Sequence, residues 1–221
     1  YWDPHTPYRT PENYENSFEG TLLCDDWITE EVFRKHLLHV GPHGANEIGM
    51  WTDIPNPEYP KHPGSVRTKA EADHFINLYD DGVRYTDDNI GIILALLEEK
   101  GIYGDDLAII ITADHGEDLG ELGLYAEHGM ADEPVCRIPM IIKWPGMRKN
   151  AVANGFHDNV DLVPTVQELL HTPKFSKRYR YDGVSFAETL KSGRDCSKPY
   201  VILTQCAHVC QRSARFDDYV Y

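Results

Sequence analysis

Positive charge is scarce in this chain: 21 Lys and Arg residues stand against 36 Asp and Glu, a formal net charge of −15 over 221 residues. Nucleic-acid binding needs clustered cations to displace the counterions of a phosphate backbone, and an anionic bilayer surface makes the same demand, so neither partner fits. Long apolar runs are lacking too, and no segment approaches the ~20 residues that a membrane-spanning helix requires. The five cysteines (Cys24, Cys136, Cys196, Cys206, Cys210) are odd in number and scattered, and none of their spacings is C-x-x-C, which excludes a disulfide framework. Cys206 and Cys210 could pair or share a zinc ion, ordinary thiols being the plainer reading. There is no signal peptide, but the chain opens on Tyr1 rather than Met, so that absence carries no information about targeting. Compartment and oligomeric state stay open.

What is present is a 41% apolar complement, enough for a real core, and one informative stretch, Leu107 to Gly129. It begins with the isoleucine-rich run Leu107 to Ile111, too short for a helix and suited to a strand buried on both faces, as in a parallel sheet covered by helices. Asp114, His115 and Gly116 follow at once. Ligands of open α/β sheets collect where strands end, and Gly116 lets the backbone bend away there. A carboxylate beside a neutral imidazole makes a divalent-metal pair. On two residues alone, a simple turn in which Asp114 accepts a backbone N–H stands equally.

Upstream, residues 1–8 (YWDPHTPY) read as a strand end entering a loop that Pro4 and Pro7 stiffen around His5. A rigidly held imidazole can act as a general acid near neutral pH; the alternative is an exposed loop histidine. Thr29 to Val40 reads as a short helix capped by Thr29, with Val32, Phe33, Leu37 and Val40 on one side. His36, His39 and His43 invite a zinc reading, but Gly41-Pro42 breaks the helix, so a solvated helix face and loop is preferred. Prolines between Ile54 and Pro63 mark an extended surface loop. Residues 70–100 form the longest periodic segment, with an apolar stripe of Phe75, Tyr79, Val83, Ile90, Leu94 and Leu97, closed by Lys100-Gly101. Gly82 and Gly91 weaken this helix, and close packing against a sheet would explain both. Asp80, Asp81, Asp87 and Asp88 are assigned to its solvated faces.

After Gly116, residues 117–133 read as an acidic loop carrying His128. Met140 to Lys143 is a strand ended by Pro145-Gly146. Asp161 to Leu170 is a helix capped by Asp161, with Pro164 in its first turn and Val166, Leu169 and Leu170 facing inward. A basic and polar stretch, His171 to Arg180, reads as a linker. A short helix (Ser185 to Leu190), a strand (Tyr200 to Leu203) and strand-like pieces joined at Asp217-Asp218 follow.

The ordered set Pro4-His5-x-Pro7, Asp114-His115-Gly116, Glu127-His128-Gly129, Arg137-Ile138-Pro139 and Trp144-Pro145-Gly146 resembles the sulfatases of the alkaline phosphatase superfamily, in the second half of their catalytic domain. The resemblance implies an α/β fold: an alkaline-phosphatase-like sheet covered by helices, here incomplete, over residues 1–172, then a small C-terminal α+β subdomain with antiparallel strands over 173–221. It implies that the chain begins in mid-domain. It further implies hydrolysis of a sulfate ester on a sulfated small molecule or glycan. By it, His5 protonates the leaving alcohol, and Asp114 and His115 bind a divalent metal, calcium in most sulfatases, with manganese or zinc as alternatives because His115 is softer than the usual Asn. His128 stands where many members carry Lys, and would bind a sulfate oxygen. Arg137 matches a structural arginine.

The nucleophile is missing. Sulfatases attack sulfur with a formylglycine made from the cysteine of a Cys-x-Pro/Ala-x-Arg motif, and no such motif occurs in these residues; Cys210-Gln211-Arg212 lacks the Pro or Ala. The expectation is a formylglycine upstream of Tyr1. The alternatives are a phosphonate monoester or phosphodiester hydrolase of the same superfamily, and a fragment with no turnover of its own.

Overall fold

The computed structural model describes residues 1–14, 17–18, 27–49, 57–58, 61–172, 180–207 and 210–221. The proline-rich loop expected between Ile54 and Pro63, the linker at 171–180 and Cys24 lie wholly or mostly outside them. In chain order the elements are α1 (Glu30–His36), α2 (Lys69–Glu99), β1 (Ile109–Thr112), β2 (Asp118–Leu119), β3 (Tyr125–Glu127), α3 (Glu133–Cys136), β4 (Met140–Lys143), α4 (Leu162–Leu169), α5 (Ala187–Ser192), β5 (Tyr200–Gln205), β6 (Gln211–Phe216) and β7 (Tyr219–Val220). The chain divides into two compact units, Tyr1–Ile102 with Gly116–His128, and Tyr103–His115 with Gly129–Tyr221.

The first unit is organised on the N-terminal half of α2. Thr68 and Glu71 close a capping box, each satisfying a backbone N–H that the first turn leaves over. Lys100 caps the far end, and Gly101 follows at φ 67°, the left-handed position a C′ glycine takes. Phe75, Ile76 and Leu78 are buried against Tyr8, Phe33 and Tyr125. The sequence stripe holds for its first half only: Val83 is 44% exposed, and Ile90, Leu94 and Leu97 are half-buried. Asp81 is not on a solvated face; it is buried, and Ser17 N–H donates to its carboxylate at 3.1 Å. A Cβ on Gly82 would lie 2.9 Å from Pro4 Cβ, so Gly82 is packed against the loop of His5 and not against a sheet; Gly91 has nothing within 4 Å.

Helix α1 starts where its cap predicts, Thr29 accepting Val32 N–H at 3.2 Å, but it ends at His36, and Val40 is fully exposed. Residues 1–10 hold turns and no strand, with cis bonds at Asp3-Pro4 and Thr6-Pro7. Residues 117–133 are more ordered than an acidic loop: β2 and β3 pair antiparallel, and Tyr125, Ala126 and Glu127 are all buried.

In the second unit β1 pairs with β4, antiparallel, from Ile109↔Lys143 to Thr112↔Met140. The reading of a strand buried on both faces of a parallel sheet is therefore corrected: Ile109 to Ile111 are half-buried, and Ile141 is 62% exposed. The apolar run came from isoleucine composition, which does not reveal strand direction. Helix α4 carries Pro164 in its first turn and buries Leu169, while Leu170 is exposed. Asp161 precedes α4 without capping it. Its buried carboxylate instead accepts Asp158 N–H (2.9 Å) and Val184 N–H (2.7 Å) and pairs with Lys198 (2.8 Å). Burial alone would raise its pKa, but Lys198 and the two backbone donors hold it below the usual carboxylate value. Strands β5, β6 and β7 form an antiparallel three-stranded sheet.

Candidate active site

His5 closes the first turn of the chain, where its backbone N–H donates to Trp2 O at 3.0 Å. Its ring Nδ1–H donates to Thr6 O, which leaves the lone pair of the neutral ring at Nε2. The ring is half-buried, with Trp2 on one side (centroids 4.6 Å apart) and His128 on another (4.5 Å, planes tilted by 56°). Residues 5 and 128 thus meet within one compact unit. His128 follows β3 directly, and its backbone N–H donates to Glu127 Oε1 at 2.9 Å.

A buried polar layer holds this pair, and three of the residues that build it, Glu117, Tyr8 and His62, were not singled out by sequence. Glu117, 6% exposed, accepts Thr6 N–H at 3.2 Å on one oxygen and the Tyr8 phenol at 2.6 Å on the other. Its carboxylate therefore straddles Pro7 and fixes both residues that flank it. Burial first, and the Glu117 charge second, push the Tyr8 phenol well above its ordinary pKa, so Tyr8 remains a neutral donor. His62 clamps the same segment from its other side: Nδ1 accepts Tyr8 N–H and Nε2 lies against Thr6 Oγ1, both at 3.3 Å. Desolvation, and then nearby His43, lower the His62 pKa to about 4, so it stays neutral and can accept that bond. His43 donates through Nδ1 to Tyr125 O (3.2 Å) and faces Glu127 Oε2 at 3.6 Å. The only sequence signal for Glu117 is its position directly after Asp114-His115-Gly116; nothing local marks Tyr8 or His62 as its partners.

The preferred reading of His36, His39 and His43 needs correction. His36 and His43 are buried rather than solvated, and they pack on β3, His36 through a 2.9 Å hydrogen bond with the Tyr125 hydroxyl. Burial lowers the His36 pKa, with a further contribution from His39.

Asp114 and His115 follow β1 in the second unit. Asp114 is 92% exposed along its side chain and accepts His115 N–H at 3.1 Å, the short turn anticipated as the plain alternative. The same turn sets His115 Nε2 3.9 Å from Asp114 Oδ1. Two ligands each ~2.0–2.5 Å from one ion lie at most ~5 Å apart, so the separation of this oxygen and nitrogen is compatible with a divalent cation held between them. Arg137 is an exposed residue 3.7 Å from Glu133.

The family model described as Sulfatase matches residues 3–172. The chain belongs to the sulfatase family. Within the alkaline phosphatase superfamily, this sulfatase chain is 38% identical over 211 residues to the multifunctional alkaline phosphatase superfamily protein PehA of Trinickia caryophylli, covering 88% of the chain and 37% of that protein. Among solved structures it is similar in fold to the phosphonate monoester hydrolase SpPMH from Silicibacter pomeroyi, with a TM-score of 0.61 and 20% identity, over 91% of this chain and 38% of that one. It is also similar in fold to BT4656, solved in complex with its substrate D-glucosamine-2-N,6-O-disulfate, with a TM-score of 0.58 and 23% identity, over 67% of this chain and 31% of that one. The sulfatase chain spans about a third of the length of these proteins, and its elements are mixed helices and small antiparallel sheets. Among the described residues, no helix is long and apolar enough to cross a membrane.

Proposed function

We propose that this chain carries the leaving-group and metal-binding part of a sulfatase active site, and that the whole protein hydrolyses a sulfate ester of a small molecule or glycan. The carrying observation is the contact of His5 with His128, 4.5 Å between rings, in a chain matched by the sulfatase model over both. In this reading His5 donates the proton to the departing alcohol. Its Nδ1–H is committed to Thr6 O, so the transferable proton is the one on Nε2. His128 donates a hydrogen bond to a sulfate oxygen as charge gathers there. Glu117, Tyr8 and His62 keep the His5 turn in place, so the acid needs no rearrangement at the moment of reaction.

Asp114 and His115 would hold the divalent ion, calcium by family resemblance, with manganese or zinc as the softer alternatives. Bound there, such an ion supplies Lewis-acid polarisation and charge neutralisation at sulfate oxygens. The nucleophile, a formylglycine by the same resemblance, belongs to a Cys-x-Pro/Ala-x-Arg segment outside this chain. The reading is tested by assaying the protein that includes such a segment on an aryl sulfate and the matching phosphodiester. Sulfate cleavage at least about tenfold faster is expected.

A second reading, a phosphonate monoester or phosphodiester hydrolase, is supported by the similarity to PehA and SpPMH and by imidazole at position 115. The reverse rate ratio would establish it. Equal absence of turnover on both substrates would favour a non-catalytic chain.

A further inference from the structure

Two cysteines that the active-site reading does not use, Cys206 and Cys210, directly flank the paired ends of β5 and β6. Strand β5 pairs with β6 from Tyr200↔Phe216 to Gln205↔Gln211 without interruption. On the other edge of β6, Ala214 and Tyr221 exchange both backbone hydrogen bonds, at 2.8 and 3.0 Å. The N–H and C=O of one strand residue point the same way, so Ala214 aims both at β7 and opposes Ile202 of β5 as a non-hydrogen-bonded pair. Alternation makes Thr204↔Arg212 non-bonded as well and Gln205↔Gln211 the last hydrogen-bonded rung. Carried one position past that last paired rung, the same alternation would bring Cys206 opposite Cys210 as a non-bonded pair.

Residues opposed at non-bonded positions have Cα atoms ~4.5 Å apart and side chains on one face. That spacing lies inside the ~4.4–6.8 Å range a disulfide bridges. The Cys206 N–H agrees with this register: it donates to its neighbour Gln205 Oε1 at 2.7 Å and does not reach across to β6. Cys206 and Cys210 are both exposed free thiols, on the face that also exposes Thr204 and Arg212. The adjoining rung is braced from outside, since Gln211 Oε1 accepts Ala131 N–H at 2.7 Å and Ser213 Oγ donates to Ala131 O.

We propose that Cys206 and Cys210 are a dithiol that closes reversibly into a cross-strand disulfide, making the tip of the β5–β6 hairpin a redox-modification site. With a small-molecule disulfide as oxidant, one cysteine thiolate attacks a sulfur of that disulfide and expels one thiol as a mixed disulfide forms. The second thiolate then attacks the protein-side sulfur and expels the other thiol. Two protein thiols become one disulfide, and the oxidant becomes two thiols.

The test uses the whole folded chain, equilibrated with excess oxidised glutathione, quenched by alkylation and mapped by peptide mass. The expected product is a peptide containing both cysteines, unalkylated and lighter by two hydrogens, reverting to two alkylatable thiols after treatment with reduced glutathione. Glutathione retained on either cysteine, unreacted thiols, or linkage to another cysteine would overturn the proposal. In Cys210→Ser the second step is removed, and glutathione on Cys206 should rise at least about tenfold over the unaltered chain. Equal amounts in the two proteins would also overturn it. None of these readouts depends on sulfatase activity.

Discussion

The Tyr8 phenol donates a 2.6 Å hydrogen bond to Glu117, 109 positions away, across a segment in which both residues are buried. This bond ties the turn that carries His5 to the strand pair that delivers His128. A charge-assisted bond of this kind contributes about 1.5–3 kcal/mol. A double-mutant cycle of Tyr8→Phe and Glu117→Gln, read by denaturant unfolding, should return a coupling in that range. Additive effects would show that the bond holds nothing in place.

Two glycines of α2 should respond oppositely to the same change. Gly91→Ala meets nothing within 4 Å and should stabilise by about 0.5–1 kcal/mol through helix propensity. Gly82→Ala drives a methyl to 2.9 Å from Pro4 Cβ and 3.0 Å from its Cα, where backbone must yield. The overpacking should outweigh the propensity gain and destabilise by about 1–3 kcal/mol. Thermal melts of the two variants check both signs.

His62, held near pKa 4 in the folded chain, titrates at ~6.5 when unfolded. The unfolded state therefore binds its proton first as pH falls. The stabilising contribution is complete above pH ~6.5, declines as pH drops towards about 4, and amounts to at most about 3 kcal/mol. His62→Gln keeps a donor and an acceptor but does not titrate. The difference between the unaltered chain and this variant should shrink from pH 7.5 to pH 4, and a constant difference would contradict a neutral buried His62.

His5→Ala, in the protein that includes the nucleophile segment, should slow sulfate esters with poor leaving groups by about 10²–10⁴, the usual contribution of a general acid. Activated aryl esters, whose leaving group needs no proton, should lose much less. Equal losses across a leaving-group series would remove the acid role while leaving a structural one.

Asp114→Ala should weaken divalent-cation binding at least about tenfold, measured by calorimetric titration of the same protein. Anomalous scattering from manganese or zinc soaked into crystals would locate the ion independently. Unchanged affinity would mean that Asp114 only shapes its turn.

Much of the local structure was legible because its causes are local. Thr29 caps α1, and Lys100-Gly101 ends α2, through contacts within a few residues. Met140 to Lys143 is a strand, and the Tyr200 and Arg212 regions form the expected antiparallel strands. The ordered motifs also identified the family, since the spacing of Asp114-His115-Gly116, His128 and Trp144-Pro145-Gly146 survives in a linear text. What misled was inference from one segment about its surroundings: isoleucine content could not tell an antiparallel, half-buried β1 from a parallel buried one.

The sequence by itself determined the chemical types available, the caps and breaks of most elements, and the family. Only the tertiary structure decided that His5 lies against His128, that Glu117 spans Pro7 to hold Thr6 and Tyr8, and that Asp81 is buried rather than solvated. The physical reason is separation. A cap or turn is selected by neighbours in the chain, whereas a pair 123 positions apart exists because burying Phe75, Tyr8 and Tyr125 together leaves their polar companions one compatible arrangement.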